Sequence, residues 1–119
     1  MIQHVTLELR REDADAEQRF WELLGFAAVV PPPGLGGSRS RWLERDATQV
    51  HLAYESDPVI PPRGHVAVVA PDYDAVIAAL RQAGHAVDPR AEHWGAARAY
   101  ARSPAGHIVE VMAAPPPAA

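Results

Sequence analysis

The sequence predicts an α+β fold, a tandem βαβββ repeat forming two curved mixed sheets that line a cleft. Each half of the chain opens with a strand-like segment that contains a histidine, His4 in one and His65 in the other. Each then continues into an amphipathic helix that opens at an aspartate, Asp13 or Asp72. These landmarks recur at offsets of 61 and 59 residues, and a near-constant offset is typical of an internal repeat.

The first unit is predicted to span residues 1–54. Residues 2–9 alternate between apolar and polar, as a half-buried strand does, and Gly25 ends the following helix as a C-terminal glycine. A short apolar segment and a Pro/Gly loop precede a hairpin that turns near Asp46 and Ala47. The predicted strands are 2–9, 26–31, 40–45 and 49–54.

The second unit is predicted to span residues 64–113, after a linker of residues 55–63 stiffened by three prolines. Gly84 ends its helix, and a final hairpin turns around residues 104–106. The predicted strands are 64–70, 85–87, 97–102 and 107–112. Both units form one domain of residues 1–113, and the Pro/Ala tail of residues 114–119 is expected to be disordered.

The composition excludes several kinds of chemistry. The chain has no cysteine, and all 11 basic residues are arginine, so thiolate nucleophiles, zinc ribbons and Schiff-base lysines are absent. The net charge of −4, with acids and bases interspersed, argues against nucleic acid or an anionic membrane as partner. No apolar run approaches about 18 residues, and the first residues lack a secretory signal, which predicts a soluble, cytoplasmic protein.

Four metal-ligand residue types fall at equivalent positions of the two units. Successive strand residues point to opposite faces, so His4 lies opposite the apolar face of its strand, as do His51, His65 and Glu110 on theirs. If the two sheets are related by a pseudo-twofold axis, these side chains converge. Three imidazoles and one carboxylate suit a divalent transition metal with open positions for substrate or water.

Other residues are weaker candidates. His107 and Glu110 are three residues apart on one strand and therefore point to opposite faces, so they are not expected to share a metal. His85 is expected to be structural, whereas His93 and Trp94 are candidates to cover the cleft mouth. The loop of residues 34–37 lacks the helix and lysine of a phosphate loop and is predicted to be a mobile flap. Either Arg41 or Trp42 lines the pocket, depending on the length of the hairpin turn.

The chain resembles the vicinal oxygen chelate superfamily of glyoxalases, bleomycin-resistance proteins and dioxygenases. The resemblance covers roughly residues 2–113 and rests on the histidine that opens each unit and on the closing segment of residues 103–111, Ser-Pro-Ala-Gly-His-Ile-Val-Glu-Val. It implies one metal ion per site, nickel, cobalt, zinc, manganese or iron, held by His4, His51, His65 and Glu110. His51 stands where glyoxalase I has a metal-binding glutamate, so one candidate base of that enzyme is missing.

The resemblance implies an isomerase or lyase that acts on a small α-oxygenated carbonyl compound by stabilising an enediolate, with Glu110 or Glu8 as proton carrier. Glu8 lies four residues beyond His4, about 13 Å along the same strand face, too far to be a ligand. One alternative is an extradiol-type dioxygenase that uses only His4, His65 and Glu110. Another is an antibiotic-binding or resistance protein of the bleomycin or fosfomycin type.

The predicted assembly is a homodimer. The stiff linker disfavours a sharp reversal of the chain, and the superfamily includes dimers that exchange units. We therefore expect two equivalent sites, each taking His4 and His51 from one chain and His65 and Glu110 from the other.

Overall fold

The computed structural model describes residues 1–35 and 37–118. Gly36, which belongs to the predicted flap, and Ala119, at the end of the predicted tail, lie outside the described residues. The chain divides into two compact units, Met1–Ile60 and Pro61–Ala119. No helix among the described residues is long and apolar enough to cross a bilayer.

In its described residues the first unit contains one α-helix, a short 3-10 helix and a four-stranded mixed sheet. Its elements are β1 (His4–Leu9), α1 (Ala14–Leu23), β2 (Ala27–Val29), β3 (Ser40–Arg45) and β4 (Thr48–Tyr54). The strand order is β1-β4-β3-β2, with β1 parallel to β4 and the other pairs antiparallel. The β3–β4 hairpin pairs Arg45 with Thr48 across a two-residue turn, in which Asp46 has a φ of 53°. A positive φ at this place is typical of the tight turns whose twist matches that of the two strands.

The second unit repeats this plan. Its elements are β5 (Val66–Val69), α2 (Tyr73–Gln82), β6 (Val87–Arg90), β7 (Arg98–Arg102) and β8 (Ile108–Met112). The strand order is β5-β8-β7-β6, with β5 parallel to β8 and the other pairs antiparallel. The predicted α+β fold, a βαβββ unit that occurs twice, is therefore confirmed.

The cores form on the faces of β1, β4, β5 and β8 that period-two alternation assigned to them. In the first unit Leu43, Val50 and Leu52 are buried, and α1 contributes Phe20 and Trp21. In the second unit the buried apolar residues are Val68, Ala70, Val76, Ile77, Leu80, Ala99, Ala101, Val109, Val111 and Met112. Met112 is the exception to the assigned face, because it lies on the face of β8 opposite Val109 and Val111. Each fully buried large apolar side chain contributes about 1.5–3 kcal/mol, so this burial fixes which face of each strand remains for polar side chains.

Some local predictions were wrong. The strand predicted at residues 85–87 lies at Val87–Arg90 instead. It contains Pro89, which β6 tolerates because it is the edge strand and one side of it needs no hydrogen bonds. A short 3-10 helix, Arg11–Asp13, precedes α1, and neither Asp13 nor Asp72 makes the side-chain cap expected of an aspartate at a helix start. His65 lies just before β5 rather than within it.

Candidate functional site

In the first unit the sheet register brings two histidines together. The parallel pairing of β1 with β4 sets Thr6 beside His51, and His4 lies two residues before Thr6 on the same face. The imidazole rings of His4 and His51 stack, with centroids 4.1 Å apart and planes 16° apart. His4 is exposed, whereas His51 is 9% exposed, so only one ring of this histidine pair is fixed by burial.

The second unit brings a histidine and a carboxylate together at the corresponding place. Ala67 pairs with Glu110, and His65 lies two residues before Ala67. His65 Nε2 is 3.1 Å from Glu110 Oε1, and Glu110 is 8% exposed. Each unit therefore places two of the four predicted ligands in contact, at equivalent positions of equivalent strands.

An aromatic residue on the third strand of each unit faces the pair. Trp42 pairs with His51 across β3 and β4, and the two rings stack with centroids 3.9 Å apart and planes 5° apart. Tyr100 pairs with Glu110 across β7 and β8, and its ring centroid is 5.2 Å from that of His65. The two-residue turn decides between the two alternatives for β3, because it places Trp42 on the polar face.

Arg41 consequently lies on the helix side of the sheet. Its Nη1 donates to Asp15 Oδ1 at 2.6 Å and to Gln18 Oε1 at 3.1 Å, both on α1. This contact lowers the pKa of Asp15 and raises that of Arg41. Arg41 therefore fastens α1 to the sheet.

Arg98 is a residue of the second pair that the sequence did not indicate. Its Nη1 donates to Glu110 Oε2 at 3.1 Å, and its Nε donates to the carbonyl of Ala91 at 2.8 Å. Burial lowers the pKa of Arg98, but hydrogen bonds with Tyr100 and Glu110 outweigh it and raise the pKa overall. The only signal in the sequence was its position, two residues before Tyr100 on the same strand face, which has meaning only once the β7–β8 register is known.

The His65 ring faces hydrogen-bond acceptors on both of its nitrogens. Nδ1 is 2.9 Å from the carbonyl oxygen of Arg63, which can only accept, so Nδ1 carries a proton. In the neutral ring the lone pair then lies on Nε2, and Nε2 faces the carboxylate oxygen of Glu110. A cation between these two atoms, either a proton or a metal ion, satisfies both.

Two linked hydrogen bonds connect Glu44 to His51 through Gln49. Gln49 Nε2 donates to Glu44 Oε1 at 2.9 Å, and Gln49 Oε1 is 2.8 Å from His51 Nε2. Burial, and secondly the nearby charge of His4, lower the pKa of His51 below its ordinary value. His51 is therefore a neutral imidazole near pH 7.

Glu8 contacts the segment that follows the first sheet. The backbone N–H of Val59 donates to Glu8 Oε1 at 3.0 Å, which ties this carboxylate to residues of the predicted linker. Glu8 lies on the same strand face as His4, as predicted, and its role as a proton carrier stays a prediction.

The remaining candidates are His107, Trp94 and His93. His107 is 4% exposed, and its backbone N–H donates to Ser103 Oγ at 3.1 Å in the turn before β8. Trp94 donates from Nε1 to the carbonyl of Ala114, which ties it to the C-terminal segment. His93 is exposed. Its predicted place at the cleft mouth stays a prediction.

Within the described residues of one chain, no group of three or more His, Asp or Glu side chains is placed to hold a metal ion. The histidine pair and the His65–Glu110 pair are each a group of two. The four-ligand site therefore stays a prediction.

The fold and the two pairs define an α+β protein of two βαβββ units, each of which brings two side chains of metal-binding residue types into contact. This is the fold that the resemblance to the vicinal oxygen chelate superfamily implies, and comparison with solved structures confirms the fold. A candidate glyoxalase family protein from Bacillus anthracis matches 94% of this chain and 93% of its own, with a TM-score of 0.83 and 21% identity.

Two further structures match nearly the whole chain. A lactoylglutathione lyase from Agrobacterium tumefaciens covers 94% of this chain and 92% of its own, with a TM-score of 0.70 and 20% identity. TnmS3, an antibiotic binding protein from Streptomyces sp. CB03234, covers 93% of each chain, with a TM-score of 0.68 and 24% identity. The sequence matches no protein-family model and no curated protein significantly. The likeness therefore establishes the fold and leaves the activity open.

Proposed function

We propose that this chain is a metal-dependent lyase or isomerase of the glyoxalase type, which acts on a small α-oxygenated carbonyl compound. The observation that carries the proposal is the equivalence of the two pairs. In each unit a histidine at the start of the first strand, or directly before it, contacts a ligand-type side chain of the fourth strand, with the same two-residue displacement in register. His4 and His51 make one pair, and His65 and Glu110 make the other.

The His65–Glu110 pair fits a divalent metal. Two ligands that bind one ion at right angles, each about 2.1 Å from it, are about 3 Å apart. The 3.1 Å between His65 Nε2 and Glu110 Oε1 is close to this spacing. The Arg63 carbonyl fixes the Nδ1–H tautomer and so leaves the Nε2 lone pair for an ion.

The histidine pair fits an ion only after one ring turns. A metal lies in the plane of each imidazole that binds it, and the planes of His4 and His51 are stacked 16° from parallel. His51 is confined by Trp42 on one side and by Gln49 at its edge. The exposed His4 ring is therefore the one that turns.

In the proposed reaction, different side chains carry the proton and exclude water, while the ion stabilises charge. A divalent ion supplies Lewis-acid stabilisation of the negative charge that develops on the substrate oxygens. Glu110 is the better placed proton carrier, because it lies beside His65 and is buried, so that its carboxylate meets little water. Trp42 and Tyr100 present aromatic surface beside the two pairs, where it excludes water from a small substrate.

The proposal includes a homodimer in which each site takes His4 and His51 from one chain and His65 and Glu110 from the other. The support is chemical, since either pair alone supplies two ligands, whereas catalytic metal sites have three or more. The stiffness of the proline-rich linker favours exchange between chains over a sharp reversal.

The experiment begins with metal content. Purified protein is stripped with chelator, reconstituted in turn with nickel, cobalt, zinc, manganese and iron, dialysed, and its metal measured per chain. We expect close to one tightly bound ion per chain for at least one metal. Loaded protein is then assayed with hemithioacetals of 2-oxo aldehydes, and the iron form with catechols. Turnover of catechols alone would replace the glyoxalase assignment with that of an extradiol dioxygenase.

One observation favours a second candidate, a protein that binds a flat ligand without catalysis. The rings of His4, His51 and Trp42 form a continuous stack, and an exposed outer ring of such a stack can hold a further planar molecule. TnmS3, which has the same fold, is described as an antibiotic binding protein. Less than about a tenth of an equivalent of metal after every reconstitution, together with quenching of tryptophan fluorescence by planar antibiotics, would favour this candidate.

A further inference from the structure

The hydrogen bonds of Glu44 and Gln49 determine which ring nitrogen of His51 carries the proton. The carboxylate of Glu44 only accepts hydrogen bonds, so the Gln49 amide must turn its NH2 group toward it. The Gln49 carbonyl oxygen then faces His51 Nε2 at 2.8 Å. Because that oxygen can only accept, Nε2 must carry the proton of the neutral ring.

We propose that Glu44 and Gln49 are positioning residues that hold His51 as the Nε2–H tautomer, so that Nδ1 is the nitrogen available to a metal. This inference rests on the proposed function for the metal, but the tautomer itself is a property of the metal-free protein. Trp42 completes the arrangement, since its ring lies parallel to His51 at 3.9 Å and fixes the ring plane. The ring plane and the tautomer of His51 together determine the direction of the Nδ1 lone pair.

The two units then differ in the nitrogen that they present. His65 donates from Nδ1 to the Arg63 carbonyl and presents Nε2, whereas His51 donates from Nε2 and presents Nδ1. The groups that accept these hydrogen bonds also differ. The acceptor is the backbone carbonyl of Arg63 for His65 and the side-chain amide of Gln49 for His51. The group that accepts from His51 can therefore be removed by substituting a side chain, whereas the backbone carbonyl that accepts from His65 Nδ1 cannot.

Nitrogen NMR of the imidazole rings tests the inference without any metal. In protein labelled with nitrogen-15, at a pH where histidine is neutral, a protonated ring nitrogen resonates far upfield of a bare one. We expect His51 to show a protonated Nε2 and a bare Nδ1, well separated. In Gln49→Leu both tautomers should be populated, so the two shifts should move toward each other. Glu44→Gln should give a smaller shift in the same direction, because the Gln49 amide can then flip.

A matched control is available in the same unit. Gln18 on α1 donates to Glu22 Oε2 at 3.3 Å, which is the same kind of amide–carboxylate pair, located away from the histidines. Gln18→Leu should leave the His51 nitrogens unchanged. If His51 in the unsubstituted protein carries its proton on Nδ1, or if Gln49→Leu alters its shifts no more than Gln18→Leu does, the inference is wrong.

Metal titration separates this inference from the proposed function. With cobalt as the probe, Gln49→Leu should weaken binding by roughly 10- to 100-fold, as the loss of a residue that orients a ligand does, whereas Gln18→Leu should not. If the chain binds no metal but His51 keeps the Nε2–H tautomer, the proposed function fails and the assignment of Glu44 and Gln49 as holders of that tautomer survives. If Gln49→Leu binds cobalt with normal affinity, Glu44 and Gln49 do not orient His51 for a metal.

Discussion

The indole of Trp42 lies parallel to the imidazole of His51, with centroids 3.9 Å and planes 5° apart. The two residues are direct partners across the β3–β4 hairpin, and Trp42 Nε1 donates to Ser40 Oγ on the same strand. The hairpin thus holds a flat aromatic surface against a predicted ligand. Trp42 is therefore expected to stabilise both the fold and the orientation of His51.

The stacking energy can be measured by a double-mutant cycle with Trp42→Leu and His51→Leu. We expect a coupling free energy of about 0.5–1.5 kcal/mol, which is the usual range for such ring pairs. Urea unfolding of the four proteins at pH 7 provides the measurement. Strictly additive effects would mean that the stack adds nothing beyond the burial of each ring.

The predicted ligands should differ from His107 in their effect on metal content. His65→Ala and Glu110→Gln should each lower the metal retained after dialysis, because the first removes the ring nitrogen of the pair whose spacing fits an ion and the second replaces its carboxylate by a neutral amide. His107→Ala should keep its metal and lose thermal stability instead, because His107 is 4% exposed and lies in the turn before β8. Equal loss of metal in all three variants would contradict the assignment of faces.

Arg98 should stabilise the folded chain by pairing with the buried carboxylate of Glu110. Arg98→Met leaves a carboxylate that is 8% exposed without its cation, so the free energy of unfolding should fall. Adding Glu110→Gln removes the unpaired charge, and the double variant should be more stable than Arg98→Met alone. The urea midpoints of the two proteins decide this. A double variant that is less stable than the single one would show that the ion pair is not the reason.

The Asp15–Arg41 contact predicts a dependence on pH and salt. The pKa of Asp15 is lower in the folded chain than its ordinary value of 3.8, so the folded state binds fewer protons there. The contribution is therefore present above pH 3.8 and is lost as the pH falls below it. Asp15→Asn should melt slightly below the unsubstituted protein at pH 7, and the difference should close on acidification.

Asp15 is exposed in its ion pair with Arg41, so the contribution of this pair to the free energy of unfolding should be small and screened by salt. Thermal melts in low and high salt at pH 7 test this. The exposed Asp88→Asn, which loses a contact with Arg90, serves as a comparison. A difference for Asp15→Asn that persists unchanged in acid would contradict the assignment.

The shared site of the proposed homodimer predicts complementation. Chains with His4→Ala and chains with Glu110→Ala should each bind little metal. After subunit exchange, the heterodimer should regain one intact site of its two. Metal content of the mixture, with exchange followed by mass spectrometry of the dimers, is the measurement. A mixture that exchanges subunits but stays as metal-poor as its parents would show that each site is built within one chain.

Much of the fold follows from short-range patterns in the sequence. Period-two alternation placed Leu7 and Leu9 on the core face, and His4 on the opposite one, because a strand exposes successive side chains to opposite sides. The repeat of helix and strand landmarks gave the doubled βαβββ order. These signals are local, or they recur at a fixed offset, so they can be read without knowing which strands pair.

The partners of the predicted ligands needed the tertiary structure. Whether Arg41 or Trp42 faces His51 depends on one residue in a turn, and a shift by one residue exchanges the two faces of a strand. The chain from Glu44 through Gln49 to His51 and the contact of Arg98 with Glu110 depend on β-pairing registers that alternation within a strand does not encode. The sequence alone thus determined the residue types, their faces and the repeat. The tertiary structure decided which atoms meet, because hydrogen bonds between strands are set by the register of pairing and by the length of the turns.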